Sequence, residues 1–379
     1  MIRPLVPVRT LFLILICTLA SAILPAVSVA QDGPPLWEEL FLTNLGPIKY
    51  GSAVWGDFNN DGLFDVIYTG TSTDFDDPRP GFEVFVNMGM TVRIIPDPTG
   101  GEPIQIFGID YQPLGFADVF TDPLWRSTAA WGDLNNDGRL DVIGSGTTRG
   151  GQLQLQVYFQ TPPGNMRRFV RGPLHDGLTD GDIILVDIDN DGDQDIILSG
   201  YDSNNVSQTW ILENNINEGG FLINVTHNLA NLAQGKIAVG DYDGDSDMDI
   251  LITGVETPQR FVTKLYRNDG AGNFTATADQ FKPLMGAAVD WGDFDADGDL
   301  DILYSGGILT PFLLEGDLAV YENLGGSFSP DGVRMFGGFP ESPAFGRYRG
   351  SAEWGDFNND GYLDFLIAGG KGPSSASTG

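Results

Sequence analysis

Six times along this chain a nine-residue stretch sets oxygen-bearing side chains at its first, third, fifth and ninth positions. The first copy, Asp57-Phe58-Asn59-Asn60-Asp61-Gly62-Leu63-Phe64-Asp65, offers Asp57, Asn59, Asp61 and Asp65. The next two offer Asp133, Asn135, Asp137 and Asp141, then Asp187, Asp189, Asp191 and Asp195. The fourth and fifth offer Asp241, Asp243, Asp245 and Asp249, then Asp293, Asp295, Asp297 and Asp301. The last offers Asp356, Asn358, Asp360 and Asp364. Hard divalent cations choose oxygen donors, and Ca²⁺ takes roughly six to eight of them in a forgiving geometry. Alternate positions of a tightly turning loop aim at one centre, and Gly at position 6 permits the bend. Acids crowded in this way repel one another when no cation lies between them. These residues are therefore the expected metal ligands, for up to six Ca²⁺. The fourth loop departs from the pattern, with Ser246 in place of the glycine.

An EF-hand also begins with alternating acids, but it needs Glu at position 12 and flanking helices. Position 12 here is Tyr68, Gly144, Leu198, Ile252, Tyr304 and Ile367. Each loop runs on into a β-rich stretch such as Val66-Ile67-Tyr68-Thr69, with Gly five residues after the last Asp. These are loops of β-hairpins. Asp/Asn/Gly clusters also form ordinary turns; six copies in register favour the cation.

The elements that carry the loops follow from the spacing. Successive first aspartates are separated by 76, 54, 54, 52 and 63 residues. About fifty residues hold four short strands with their turns, which is one propeller blade. The second unit reads as strands Leu140 to Ser145, Leu153 to Phe159 and Met166 to Arg171. Thr209 to Glu213, Thr263 to Arg267 and Ala319 to Glu322 are third strands of later units. No segment shows a 3.6-residue apolar period, so the prediction is all-β. Asp195-Ile196-Ile197-Leu198 is apolar on both faces, as a sheet stacked between two others requires. Trp55, Trp131, Trp291 and Trp354 each stand two residues before a loop. An aromatic row can stack sugars, but at this fixed place packing between blades is the expectation. The long first interval places an insertion at about 71–127, and such departures from a repeat often carry function. Trp37 to Thr43 resembles a fourth strand ahead of any first one. The sixth unit stops at Gly379 where a third strand is due, so the last blade is expected to be truncated.

Arg3 and Arg9, the apolar run Leu11 to Leu19 and the small residues up to Ala30 predict a signal peptide over 1–30, leaving 31–379 as the mature chain. Export to the cell surface or medium follows, with no transmembrane helix in the mature chain. The one cysteine, Cys17, lies within the predicted signal, so disulfides cannot brace the rest. The formal net charge is −32. A surface this acidic repels phosphate backbones and excludes nucleic acid as a partner.

Trp-Gly-Asp-Phe-Asn-Asn-Asp-Gly, at 55–62 and again at 354–361, resembles the FG-GAP/VCBS repeat, related to the N-terminal propeller of integrin α subunits. The resemblance implies a seven-bladed β-propeller with Ca²⁺ in its blade hairpins, in a secreted or surface protein. With six loops in the sequence, the expected architecture is a propeller of six to seven four-stranded blades, its ring incomplete.

Two functions compete. The first is a non-catalytic, calcium-binding module for adhesion or recognition of an extracellular protein or glycan. The second is a polysaccharide-active lyase or hydrolase built on the propeller, or part of one. The catalytic inventory is thin: His175 and His227 stand in non-equivalent places, and no zinc-protease motif or nucleophile elbow occurs. Loop carboxylates that hold metal cannot serve as acid or base.

Overall fold

The computed structural model describes residues 48–72, 80–95, 104–114, 122–162, 169–216, 222–257, 260–309, 314–330, 332, 348–356 and 360–370. The predicted signal peptide, the strand expected at Trp37 to Thr43, the last nine residues, Asn358 and parts of 71–127 lie outside them. The described residues form 22 strands and no helix. No helix among them is long and apolar enough to cross a membrane.

The strands make six antiparallel sheets in chain order, spanning 48–113, 124–175, 183–225, 237–276, 285–321 and 348–370. The second, third and fourth sheets have four strands each, the fifth three and the sixth two. In the first, Ile48–Lys49 and Ala53–Gly56 both pair with Asp65–Ser72, and Pro80–Ile95 and Ile104–Pro113 follow. Those two long strands occupy much of the stretch 71–127. The arrangement is a propeller with an open ring. The seventh blade implied by the resemblance has no counterpart among the described residues, because the chain supplies six loop-bearing hairpins and each makes one sheet.

Each sheet packs on the next, and the apolar runs explain how. Ile196 and Leu198 lie in the seam with the second sheet, beside Ile143 and Leu155. Ile197, between them, points the other way, into the seam with Ile237, Ile250 and Ile252 of the fourth. A strand side-chain period of two therefore feeds two cores at once. The tryptophans seal the seams. Trp131 stacks on Phe58 of the preceding loop at 5.8 Å and 4°. Trp291 stacks on Tyr242 at 6.2 Å and 9°, and Trp354 on Phe294 at 6.3 Å and 20°. Gly56, Gly240 and Gly292 leave room for them: a Cβ at Gly56 would lie 2.6 Å from the Trp131 ring.

At the rim opposite the loops the sheets are linked through their backbones. Tyr50, Arg126, Asp180 and Gln234 all adopt left-handed conformations, with φ of 55°, 50°, 52° and 53°. The amides of Ser127, Asp180 and Gln234 donate to the carbonyls of Tyr50, Arg126 and Asp180, at 3.1, 3.0 and 2.7 Å. This strained conformation costs about 1–3 kcal/mol per residue and is held by the contacts it permits.

Candidate metal centre

All six loops cap a hairpin in one register, between Ala53–Gly56 and Asp65–Ser72 in the first sheet and between the first and second strands of the other five. The residue before position 1 pairs with position 9 every time: Gly56 with Asp65, Gly132 with Asp141, Val186 with Asp195. Gly240 with Asp249, Gly292 with Asp301 and Gly355 with Asp364 complete the set. Within the loop, the first carboxylate collects two backbone amides. In the first copy the amides of Asp61 and Gly62 donate to the two oxygens of Asp57 at 3.0 and 2.9 Å. The same pair closes on Asp133, Asp187, Asp241, Asp293 and Asp356. The position-5 carboxylate accepts the amide of position 7 in all six, at 2.8 to 3.1 Å.

Two left-handed residues make the turn. Position 6 has φ between 75° and 99° in all six copies, at Gly62, Gly138, Gly192, Ser246, Gly298 and Gly361. Position 4 is also left-handed: Asn60, Asn136, Asn190, Gly244 and Ala296 have φ of 56°, 53°, 62°, 75° and 63°. Asn and Gly tolerate this region best, which accounts for the recurring Asn. The fourth loop adopts the common turn despite Ser246, whose amide reaches Asp241 at 2.9 Å.

The position-9 carboxylates differ from the rest. Asp65, Asp141, Asp195, Asp249 and Asp301 are fully buried. In the middle four, one oxygen accepts the amide of position 2: Leu134, Ile188, Tyr242 and Phe294 donate at 3.1, 3.2, 3.1 and 2.9 Å. The position-9 carboxylate also accepts the amide of an Asn or Gln, at or just past the end of the third strand in the middle four and within Pro80–Ile95 in the first. Asn87, Gln160, Asn214, Asn268 and Asn323 donate to Asp65, Asp141, Asp195, Asp249 and Asp301 at 2.7 to 2.9 Å. Burial pushes the carboxyls of Asp141, Asp195 and Asp249 up to about 7 and that of Asp65 up to about 6, against the lowering effect of these amides. Asp301 is raised for the same reason.

Asn87 donates to the Phe64 carbonyl of its own loop at 3.1 Å, but the other four side chains, likewise absent from the sequence-based site, reach across to the preceding sheet. Gln160 donates to the position-2 carbonyl of Phe58, Asn214 to Leu134, Asn268 to Ile188 and Asn323 to Tyr242, at 2.8 to 2.9 Å. The signal that could have found them is an Asn or Gln recurring 19 or 22 residues after position 9. Adjacent loops also touch at the surface, where Asn136 donates to the Gly192 carbonyl at 3.2 Å and Asn190 to Asp247 at 2.9 Å.

The donor set fits a hard cation. Ligand oxygens of Asp187, Asp189 and Asp195 lie within 4.8 Å of one another, as do those of Asp241, Asp243 and Asp249, and of Asp293, Asp295 and Asp297. Every side chain at positions 1, 3, 5 and 9 offers oxygen, which suits Ca²⁺ and not softer metals. Three carboxylates this close repel one another when all are ionised, and a bound Ca²⁺ would relieve that repulsion. In the second loop Arg139 already lies on Asp137 and donates to the Gln160 carbonyl. Asn59 and Asn135 occupy position 3 of the first two loops and accept the amides of Asp61 and Asp137, at 3.0 and 3.2 Å. In the last loop Asp356 and Asp360 take the common geometry, Asp364 pairs with Gly355, and Asn358 is outside the described residues.

The two histidines are not brought together. His227 holds a crossover: its Nε2 lies 2.8 Å from the Thr209 carbonyl and its Nδ1 accepts the Leu229 amide. This fixes the neutral tautomer, and burial lowers its pKa. His175 ends the fourth strand of the second sheet, also with a pKa lowered by burial.

No curated protein matches the chain. Among solved structures, the crystal structure of the V. cholerae biofilm matrix protein Bap1 is similar at 18% identity and a TM-score of 0.33, over 75% of this chain and 38% of that one. The family model for the FG-GAP-like repeat matches residues 133–198, 187–252 and 256–304. Three such repeats, on sheets arranged as blades around hairpin loops of one geometry, make this chain an FG-GAP-repeat β-propeller protein.

Proposed function

We propose that the chain is an exported, calcium-stabilised propeller whose work is non-catalytic recognition or adhesion outside the cell. The observation that carries this reading is the repeated loop: oxygen donors set by the same backbone hydrogen bonds in each copy, tied through position 9 into the seams between sheets. Metal held there serves the scaffold. The position-9 carboxylates use both oxygens on backbone amides in four loops, and His227 is spent on a crossover, so these groups are committed to structure and not to proton transfer. The distance of the repeat from any one chemistry is itself general, since propellers host many functions. The partner class is an extracellular protein or a glycan.

The test is a binding screen of the purified mature chain against glycans and extracellular proteins, with and without a chelator. Calcium-dependent binding without turnover is the expected result. Product formation from a polysaccharide, lost when one acid outside the loops is changed, would replace this reading with the enzymatic one. Export is tested separately: the N-terminus of the protein recovered from the medium should be Gln31.

A further inference from the structure

A cleft of about 530 Å³ lies between the second and third sheets, at the rim opposite the metal loops. Gln152, Gln154, His175, Asp176, Asp202 and Trp210 line it. We propose that this cleft binds a neutral saccharide, with Trp210 as the stacking surface and the surrounding amides and carboxylates as partners for its hydroxyls. The proposal rests on the recognition reading above and gives it a site and a ligand class.

The repeat supplies the first argument. Trp210 pairs with Leu198, which is position 12 of its unit. At the same register the first, second, fourth and fifth sheets carry Glu83 against Tyr68, Gln156 against Gly144, Lys264 against Ile252 and Ala319 against Tyr304. Acid, amide, amine and methyl all satisfy the blade there, so the fold does not require an indole. Trp131, Trp291 and Trp354 seal seams by stacking on the preceding loop, whereas Trp210 is partly buried against the second sheet and opens on the cleft. A departure from a repeat's rhythm at one unit marks function more than folding.

The second argument is the chemistry of the walls. A saccharide ring presents an apolar C–H face beside a belt of hydroxyls. An aromatic ring flanked by side chains that both donate and accept answers that pattern. Two carboxylates line the cleft, and among its described lining residues there is no lysine or arginine. With a chain charge of −32, this disfavours phosphorylated or acidic sugars. A wholly apolar ligand would strip water from these polar groups without replacing their hydrogen bonds. The volume lies in the usual range of small-molecule sites, about 300–1,000 Å³.

The walls are also preformed. Asp202 accepts the amides of Asn204 and Val206 at 2.8 and 2.9 Å and the Gln208 amide group at 3.2 Å, closing the turn that forms one side. Left-handed Asn205, with φ of 60°, completes that turn. On the other side Gly177 runs so close to the Gln154 backbone that a Cβ would meet it at 2.3 Å. Rigid walls reduce the ordering cost of binding.

The experiment titrates neutral, acidic and amino-sugar oligosaccharides into the full chain in millimolar Ca²⁺, by calorimetry and by tryptophan fluorescence. At least one neutral oligosaccharide should bind saturably, and Trp210→Gln should weaken it about tenfold or more. That variant places at Trp210 the residue the second sheet carries at this register, and its chelator-sensitive melt reports whether the fold is kept. Gln152→Ala, at the exposed rim, should also weaken binding and serves if Trp210→Gln misfolds. Neutral-sugar binding untouched by both variants would move the site elsewhere and leave recognition standing. Binding only of charged sugars, or only of proteins, would overturn the saccharide assignment but not the recognition reading. Absence of binding to any partner would overturn both.

Discussion

The Asn214 side chain donates to the carbonyl of Leu134, 80 residues earlier, at 2.8 Å, while its own amide donates to Asp195 at 2.9 Å. One residue thus joins the buried carboxylate of its own metal loop to the turn of the preceding loop. Leu134 passes the connection on, because its amide donates to Asp141, and Asp141 accepts the amide of Gln160. Gln160 in turn reaches Phe58. The result is a hydrogen-bonded belt running from loop to loop beneath the candidate metal centres. Asn214→Ala should strand the buried carbonyl of Leu134 and the part-buried carbonyl of Gln194, which Asn214 also serves at 3.0 Å. A cost of about 2–3 kcal/mol is expected in urea unfolding at saturating Ca²⁺. A loss below about 0.5 kcal/mol would show that the belt carries no load.

Removing the metal should do more than any single substitution. Extracellular calcium modules bind with Kd of about 10⁻⁴–10⁻³ M. At about millimolar Ca²⁺ this contributes about 0.4–1.4 kcal/mol per site, or about 2–8 kcal/mol over six sites. Domains have about 5–15 kcal/mol in total. The melting temperature should therefore fall sharply in excess chelator and return when Ca²⁺ is restored. An unchanged melt would refute metal stabilisation.

The effect of chelator should grow with pH. In the metal-free chain, burial raises Asp141, Asp195 and Asp249 to about 7, above the ordinary carboxyl value of about 4 in the unfolded chain. The folded state then binds more protons than the unfolded state between those values, so its stability declines as pH rises through that window. The metal requires the ionised forms, so its affinity rises over the same window. The difference in melting temperature between calcium-loaded and chelated protein should be small at pH 5 and large at pH 8. An equal difference at both values would show that these carboxyls are ionised without metal.

How much of this could be read from the chain depends on the range of the interaction. The loops were legible because their ligands and their left-handed glycine fall within nine residues. The sheets were legible because Ile196 and Ile197 alternate between two seams, so an unbroken apolar run meant a strand covered twice. The packing role of Trp131, Trp291 and Trp354 followed from their fixed place before the loops. Asn214, Asn268 and Asn323 gave no local sign, since each serves a carbonyl about 80 residues away. The strained residues Tyr50, Arg126, Asp180 and Gln234 were hidden for a related reason: they share a backbone conformation and not a side-chain type. Of the six to seven blades expected, the upper figure came from resemblance and was too high, because six loops can fold only six loop-bearing hairpins.

The seams should tolerate some replacements of their tryptophans better than others. Trp291 stacks on Tyr242 and packs near Phe328 at 5.9 Å. Trp291→Ala would open a cavity and should cost about 3 kcal/mol. Trp291→Leu should cost less, because Leu185 holds the equivalent place two residues before the third loop. Both losses should persist in chelator, which separates seam packing from metal binding. Equal destabilisation by the two variants would mean that stacking, and not filled volume, is what the seam requires.

The loops hold two residues poorly suited to their conformation, and correcting them should stabilise the protein. Ser246 at φ 75° and Ala296 at φ 63° stand in the left-handed region, where sister loops carry Gly and Asn. A side chain there costs about 1–2 kcal/mol, though introducing glycine returns part of this through the freedom it adds to the unfolded chain. Ser246→Gly and Ala296→Asn should each raise stability by about 0.5–1 kcal/mol. Neither changes a ligand oxygen at positions 1, 3, 5 or 9, so the number of Ca²⁺ bound should stay the same. Calorimetric titration alongside thermal melts reads both quantities. The two sites lie in adjacent loops joined by the belt through Asn323, which reaches back to Tyr242 at 2.8 Å. Gains in the double variant that exceed the sum of the single ones would therefore measure coupling between neighbouring loops.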